Sequence, residues 1–227
     1  MVYKAERPAY YLPVKWMPDN RRLLVIESYS ANKTGTLLVD TESGQVENLT
    51  PAGDKDFNFA LAGASPDGKY FYGISDQTGE FSQLIRCEKA TKKIETITGD
   101  IPWDVDGAAI SSDMKKIAFL VNEGGISRLY LLDTDTLKYK AITSIPEGVI
   151  DGSEIAFDPE GKKLFMNISN SRMNKNAFHL DLETMEPVRW TQSDNAGLDL
   201  SQFADHRLIH YPTFDQVEGK PRMIPAL

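Results

Sequence analysis

Short apolar stretches with strand-like alternation run the length of this chain, and no segment holds a 3.6-residue apolar period for ten positions or more. The pattern is clearest over residues 57–98. Residues 57–64 are small and apolar, as suits an inner strand near a crowded axis; residues 69–75 are aromatic and β-branched, as suits a strand packed on both faces. Residues 82–88 alternate up to a turn at Lys89-Ala-Thr91, and Ile94-Glu-Thr-Ile97 alternates again as an outer, half-solvated strand. Four antiparallel strands are therefore predicted for this unit.

The unit recurs. One anchor is a turn before an apolar strand: Met17-Pro-Asp-Asn20, Ser65-Pro-Asp-Gly68, Ser111-Ser-Asp-Met114 and Asp158-Pro-Glu-Gly161. Its acids, Asp19, Asp67, Asp113 and Glu160, are spaced by 48, 46 and 47 residues. A second anchor is the acid that closes a strand, at Asp40, Glu88, Asp133 and Asp181, with spacings of 48, 45 and 48. The pairs Leu49-Thr50, Ile97-Thr98, Ile142-Thr143 and Trp190-Thr191 repeat those same three spacings. In the Pro-Asp-Gly turn, Pro presets its φ, Asp caps the turn with its carboxylate and Gly takes a positive φ without strain. A four-stranded repeat of this length predicts an all-β fold, a β-propeller with four blades at about 14–50, 57–98, 105–143 and 152–191. An extension over 1–13 and a linker from 195 flank the blades, and the Gly-His and Trp-Asp signatures of WD40 blades are absent.

Composition narrows the partners. Of 227 residues, 41% are hydrophobic and 26% charged, and mean hydropathy is -0.36, values of a globular chain with no membrane-spanning stretch. Residues 1–10 lack the apolar run of a signal peptide, and the compartment, cytoplasmic or periplasmic, stays open. The net charge of -8, from 33 acids interspersed among 25 bases, disfavours nucleic acid and anionic membranes. Cys87 is the single cysteine, so no internal disulfide or thiolate metal cluster can form.

The Ser-Pro-Asp-Gly turns, with the Asp40-Thr-Glu-Ser-Gly44 turn, resemble the blades of TolB-type propellers and of prolyl oligopeptidase family propellers, and do not separate the two. The tail does. Gly197-Leu-Asp-Leu-Ser-Gln-Phe203, Arg207-Leu-Ile-His-Tyr-Pro-Thr-Phe-Asp215 and Ile224-Pro-Ala-Leu227 resemble the passage by which prolyl oligopeptidase and acylaminoacyl peptidase relatives leave the propeller for the α/β-hydrolase domain. The stretch 216–222 departs from that pattern and reads as a lengthened hairpin. The resemblance implies that 195–227 is a linker and the start of a truncated hydrolase domain, and that the four blades are the later half of a larger propeller. It also implies that the catalytic Ser, Asp and His lie beyond Leu227.

No catalytic, cofactor-binding or metal residue is therefore assigned. Gly73-Ile-Ser75-Asp-Gln77 lacks the second Gly of a nucleophile elbow and falls where a strand ends. His206 and His210 are four apart in a stretch that reads as extended, and no general-base Glu accompanies them. His179 reads as a satisfied core or groove imidazole. Asp104-Val-Asp106-Gly107 and Asp133-Thr-Asp135-Thr136 lack the rest of a calcium loop. Trp16, Trp103 and Trp190, with Tyr70, Phe71 and Tyr72, read as packing between blades rather than a stacking platform. Three functions remain: an accessory propeller of a serine peptidase acting with a peptide substrate and a hydrolase domain; a free-standing TolB-like binding propeller; and, weakest, a self-contained hydrolase. With only four blades, a compact ring or a homodimer through the end blades is expected.

Overall fold

The structure, a computed structural model, describes residues 4, 8–53, 55–205 and 207–226. Its strands form four antiparallel meanders in chain order. Blade 1 is β1 (Tyr10–Trp16), β2 (Arg22–Ser30), β3 (Lys33–Asp40) and β4 (Val46–Asn48). Blade 2 is β5 (Phe59–Ala64), β6 (Tyr70–Ser75), β7 (Gln83–Glu88) and β8 (Ile94–Thr96). Blade 3 is β9 (Val105–Ile110), β10 (Lys116–Glu123), β11 (Ile126–Asp133) and β12 (Tyr139–Ile142). Blade 4 has a divided inner strand, β13 (Val149–Ile150) and β14 (Ala156–Phe157), both paired with β15 (Lys163–Asn170), followed by β16 (Met173–Asp181) and β17 (Pro187–Arg189). A separate hairpin, β18 (Ile209–Val217) and β19 (Lys220–Ala226), follows.

Two limits differ from the sequence-based ones. β1 begins at Tyr10 and pairs with β2 from Ser28 to Leu23, so part of the presumed extension belongs to blade 1. Blade 4 begins at Val149, ahead of residue 152, because a 3-10 turn at Gly152–Glu154 breaks its inner strand. Asp151 caps that turn by accepting the Ser153 N–H at 2.9 Å. The hairpin β18–β19 turns through only two residues, Glu218 and Gly219, both at positive φ, the geometry of a tight primed turn.

The repeated acids bind backbone. Asp67 and Asp113 each accept a Ser hydroxyl, from Ser65 and Ser111, and the N–H two residues on, at Lys69 and Lys115. Asp19 accepts the N–H groups of Arg21 and Arg22, both at 3.0 Å. In blade 4 the capping acid is Asp158, not the Glu160 that keeps register with the others: Asp158 accepts from Lys162 and Lys163 at 2.6 and 2.9 Å. It stands where Ser65 stands in blade 2, two residues before the expected acid, and reaches the same N–H groups.

The Arg22 N–H, chiefly, with the Arg22 guanidinium and the Arg21 N–H, holds the Asp19 carboxyl down at about 2. Similar contacts lower Asp40, Asp133 and Asp181, each first through a backbone N–H, at Ser43, Thr136 and Thr184. A depressed folded-state value stabilises above the unfolded value and loses that stability as pH falls through the folded one. Stability is thus expected to decline from about pH 4 towards pH 2. Asp19→Asn should flatten the pH dependence of the urea midpoint in that window; an unchanged slope would refute the assignment.

Three apolar clusters lie between consecutive blades. Leu24, Leu38, Phe59, Leu61, Phe71 and Ile85 join blades 1 and 2. Tyr72, Leu84, Val105, Ile117, Phe119 and Leu132 join blades 2 and 3, and Leu120, Leu129, Leu164, Met166, Phe178 and Leu180 join blades 3 and 4. Phe71 and Tyr72, adjacent in β6, serve opposite joints, which is why the middle strands read as continuous apolar runs. No such cluster joins blade 4 to blade 1 among the described residues, so the four blades form an arc and the compact-ring expectation fails.

Candidate functional site

Blades 1 and 2 are laced by threonines. Thr34 and Thr36, two residues apart in β3, share a face and meet the inner strand of the next blade. Thr34 Oγ1 accepts the Phe59 N–H at 2.9 Å, and its own N–H donates to the Phe57 carbonyl. Thr36, wholly buried, donates its hydroxyl to the Phe59 carbonyl at 3.0 Å and accepts the Leu61 N–H at 3.1 Å. Between blades 3 and 4 the Ser127 hydroxyl does the same, donating to the Ile150 carbonyl and accepting its N–H.

The apolar-Thr echo also has a role that spacing alone did not disclose. Thr50, Thr98 and Thr191 each accept an N–H from the third strand of their own blade, at Thr36, Leu84 and Ala177, at 2.8 to 3.0 Å. Each closes the ladder just beyond the outer strand. The signal was the recurrence itself, in a residue type whose short hydroxyl reaches the backbone.

At this end of the blades the loop between β4 and β5 separates two clefts. One, of about 720 Å³, is lined by Pro8, Glu27, Tyr29, Lys33, Gly35 and Thr50 with the loop. The other, of about 680 Å³, lies against Asp76, Gln77, Gly79 and Glu80. Lys55, Asp56 and Phe57 face both. Asp76 fixes the loop's far end by accepting the Asn58 N–H at 2.6 Å, and the Asn58 amide donates to Ala31. Lys33 and Asp56 close an ion pair of 2.7 Å. Of these cleft residues the sequence reading touched Thr50, in the apolar-Thr echo, and Asp76 and Gln77, in the elbow-like phrase, but it assigned none of them to a cleft, since no local motif marks one. A third cleft, at the boundary of blades 3 and 4, holds Arg128 between Glu123 and Glu147, at 3.3 and 2.7 Å.

The residues weighed for chemistry are dispersed and occupied. Ser75 is buried and donates to the Asn58 carbonyl at 2.7 Å. Cys87 is buried and burial pushes its thiol up, which suppresses the reactive thiolate. Asp104 accepts the Ser82 N–H, Asp133 caps its turn, and among the described residues no three His, Cys, Asp or Glu side chains are placed to hold a metal. His210 is exposed on β18, and His206 lies outside the described residues. His179 is buried, and its Nδ1 accepts the Trp190 indole N–H at 2.6 Å beside the ring of Phe165. Trp103 packs in the joint of blades 2 and 3, with Tyr72. Trp16 and Trp190, however, are 51% and 60% exposed and do not pack between blades. Trp16 lies opposite Leu23 on the first inner strand and Trp190 follows the last outer strand, so both belong to end blades, each with a neighbour on one side only.

No helix among the described residues is long and apolar enough to cross a membrane. No curated protein matches the sequence. Among solved structures, TolB from Acinetobacter baumannii superposes with a TM-score of 0.64 at 22% identity, over 91% of this chain and 49% of that one. One of two prolyl endopeptidases superposes at 0.74 and 9% identity, over 96% of this chain and 30% of that one. Prolyl oligopeptidase B from Galerina marginata, bound to a 35-residue hydrolysis and macrocyclisation substrate, superposes at 0.70 and 12%, over 95% and 30%. The chain thus spans about half of that TolB and under a third of each of those two peptidases. These likenesses establish the β-propeller fold. Residues 2–174 match the sequence pattern of the dipeptidyl peptidase IV N-terminal region, the propeller part of prolyl peptidase-type enzymes, and the chain belongs to that family.

Proposed function

We propose that this chain is the non-catalytic propeller of a prolyl oligopeptidase-type serine peptidase, where it gates access to the hydrolase site and helps position peptides. The observation that carries the reading is the family match over 2–174. The tail from Gly197, with its Tyr211-Pro-Thr-Phe-Asp215 phrase on β18, supports it, as do clefts that open where the interblade loops gather. The reading frame beyond Leu227 tests it. A Gly-x-Ser-x-Gly segment within about 250 residues, the span of a large domain, is expected. Its absence would sink the proposal.

The likeness to TolB over 91% of the chain favours a second reading, a free-standing propeller that binds a protein or peptide. A stop codon directly after Leu227, with a stable complex recovered on the purified chain, would select it. For the isolated chain we also propose a homodimer that covers the end-blade faces around Trp16 and Trp190. Light scattering should give twice the chain mass, and a monodisperse monomer at high concentration would exclude the dimer.

A further inference from the structure

We propose that a small cleft on the outer flank of blade 3 binds a short apolar carboxylate anion. The cleft, of about 250 Å³, is lined by Lys116, Leu131, Asp133, Lys138 and Lys140. Lys116 lies across the ladder from Asp133, and Lys140 lies across from Leu131. Lys138 is two residues before Lys140, so these side chains share one face. That face looks towards blade 4: Leu131 packs on the cluster that joins blades 3 and 4, and the Lys116 ammonium donates to the Gly161 carbonyl at 2.9 Å. Lys116 begins β10 and Asp133 ends β11, which puts the cleft at the end of the blades that carries the Ser111-Ser-Asp-Met114 turn, opposite the β4–β5 loop.

Charge and shape select the ligand. In a chain of net charge -8, three lysines gather here, and among the described residues no carboxylate pairs with any of them. The acid in the wall, Asp133, is committed to its own turn, accepting the Thr136 N–H at 2.8 Å and the Thr136 hydroxyl at 2.9 Å. It remains a like charge that limits affinity for an anion. Between the lysines the wall is apolar, built on Leu131 and the lysine stems. A volume below the range of about 300–1,000 Å³ for drug-sized sites leaves room for one short chain or ring. A carboxylate at the rim meets the exposed Lys138 and Lys140, while its tail leaves water against Leu131. The inference stands apart from the peptidase role proposed above.

A free aliphatic acid and the C-terminal carboxylate of a peptide both present this group, and two probes separate them. Sodium hexanoate and N-acetyl-leucine are titrated into the full chain and followed by amide chemical shifts, with 1-hexanol as the control that lacks the charge. Saturable shifts at residues 131–133 and 138–140 are expected with the two carboxylates and not with hexanol. Tighter binding of hexanoate assigns the site to free acids, and tighter binding of N-acetyl-leucine assigns it to peptide termini. From butanoate to hexanoate, affinity should rise about two- to fourfold per methylene. Lys138→Gln combined with Lys140→Gln should weaken both ligands by at least about threefold while leaving the melting temperature unchanged, and added salt should weaken them likewise. No saturable shift with either carboxylate, hexanol shifts that match those of hexanoate, no gain per methylene, or equal affinity in the double variant would each overturn the proposal.

Discussion

Replacing Phe119 with alanine is expected to lower the unfolding free energy by about 3–5 kcal/mol. Phe119 is fully buried in β10 at the joint of blades 2 and 3. Its ring stacks on Tyr130 at 5.0 Å and meets the edge of Tyr139 at 5.5 Å, so truncation removes two ring contacts as well as buried area. Neither tyrosine can swing in to fill the space. The Tyr130 hydroxyl donates to Glu123 at 3.1 Å, and the Tyr139 hydroxyl donates to Asp100. The cavity therefore stays open and its cost is near the upper end of the range. In urea the midpoint should fall with the slope unchanged. Phe119→Leu should recover most of the loss, and a deficit for alanine below about 1 kcal/mol would show that the joint repacks.

The second large effect is expected from a single added side chain. Gly107→Val should lower stability by about 3 kcal/mol, and the melting temperature by about 6–12 °C for a chain of this size. The reason is steric rather than conformational. A Cβ on Gly107 would lie 2.4 Å from Gly152 Cα and 2.6 Å from its carbonyl oxygen, and backbone cannot rotate aside as a side chain can. The reverse contact is as close, since a Cβ on Gly152 would lie 2.5 Å from the Asp106 carbonyl oxygen. Amide exchange should quicken first in β13 and β14, which flank the turn at Gly152–Glu154, and later in β6. A Gly107→Ala protein that melts with the native one would refute this account.

That same contact shows why part of the fold was hidden in the sequence. The blades were legible because each turn is encoded by one or two residues whose chemistry is local, such as Ser65 with Asp67 or Ser111 with Asp113. The break in the inner strand of blade 4 was not, because it answers to an approach between Gly107 and Gly152, residues in different blades. The misplaced acid of blade 4 has a similar origin. Two positions of that turn can reach the same N–H groups, so spacing pointed to Glu160 while geometry uses Asp158. Trp16 and Trp190 were read as interblade packing because composition cannot tell an end blade from an inner one. As for the candidate site, the clefts on either side of the β4–β5 loop carried no recognisable motif, because their walls come from stretches far apart in the chain that meet only in the fold.

The open arc has a mechanical consequence. Four blades share three seams, so cohesion resides in the seams, each sealed by its own cluster. Loss of an outer blade surrenders one seam and loss of an inner blade two, which makes the assembly a short zipper that loosens from its ends rather than a hoop that fails all at once.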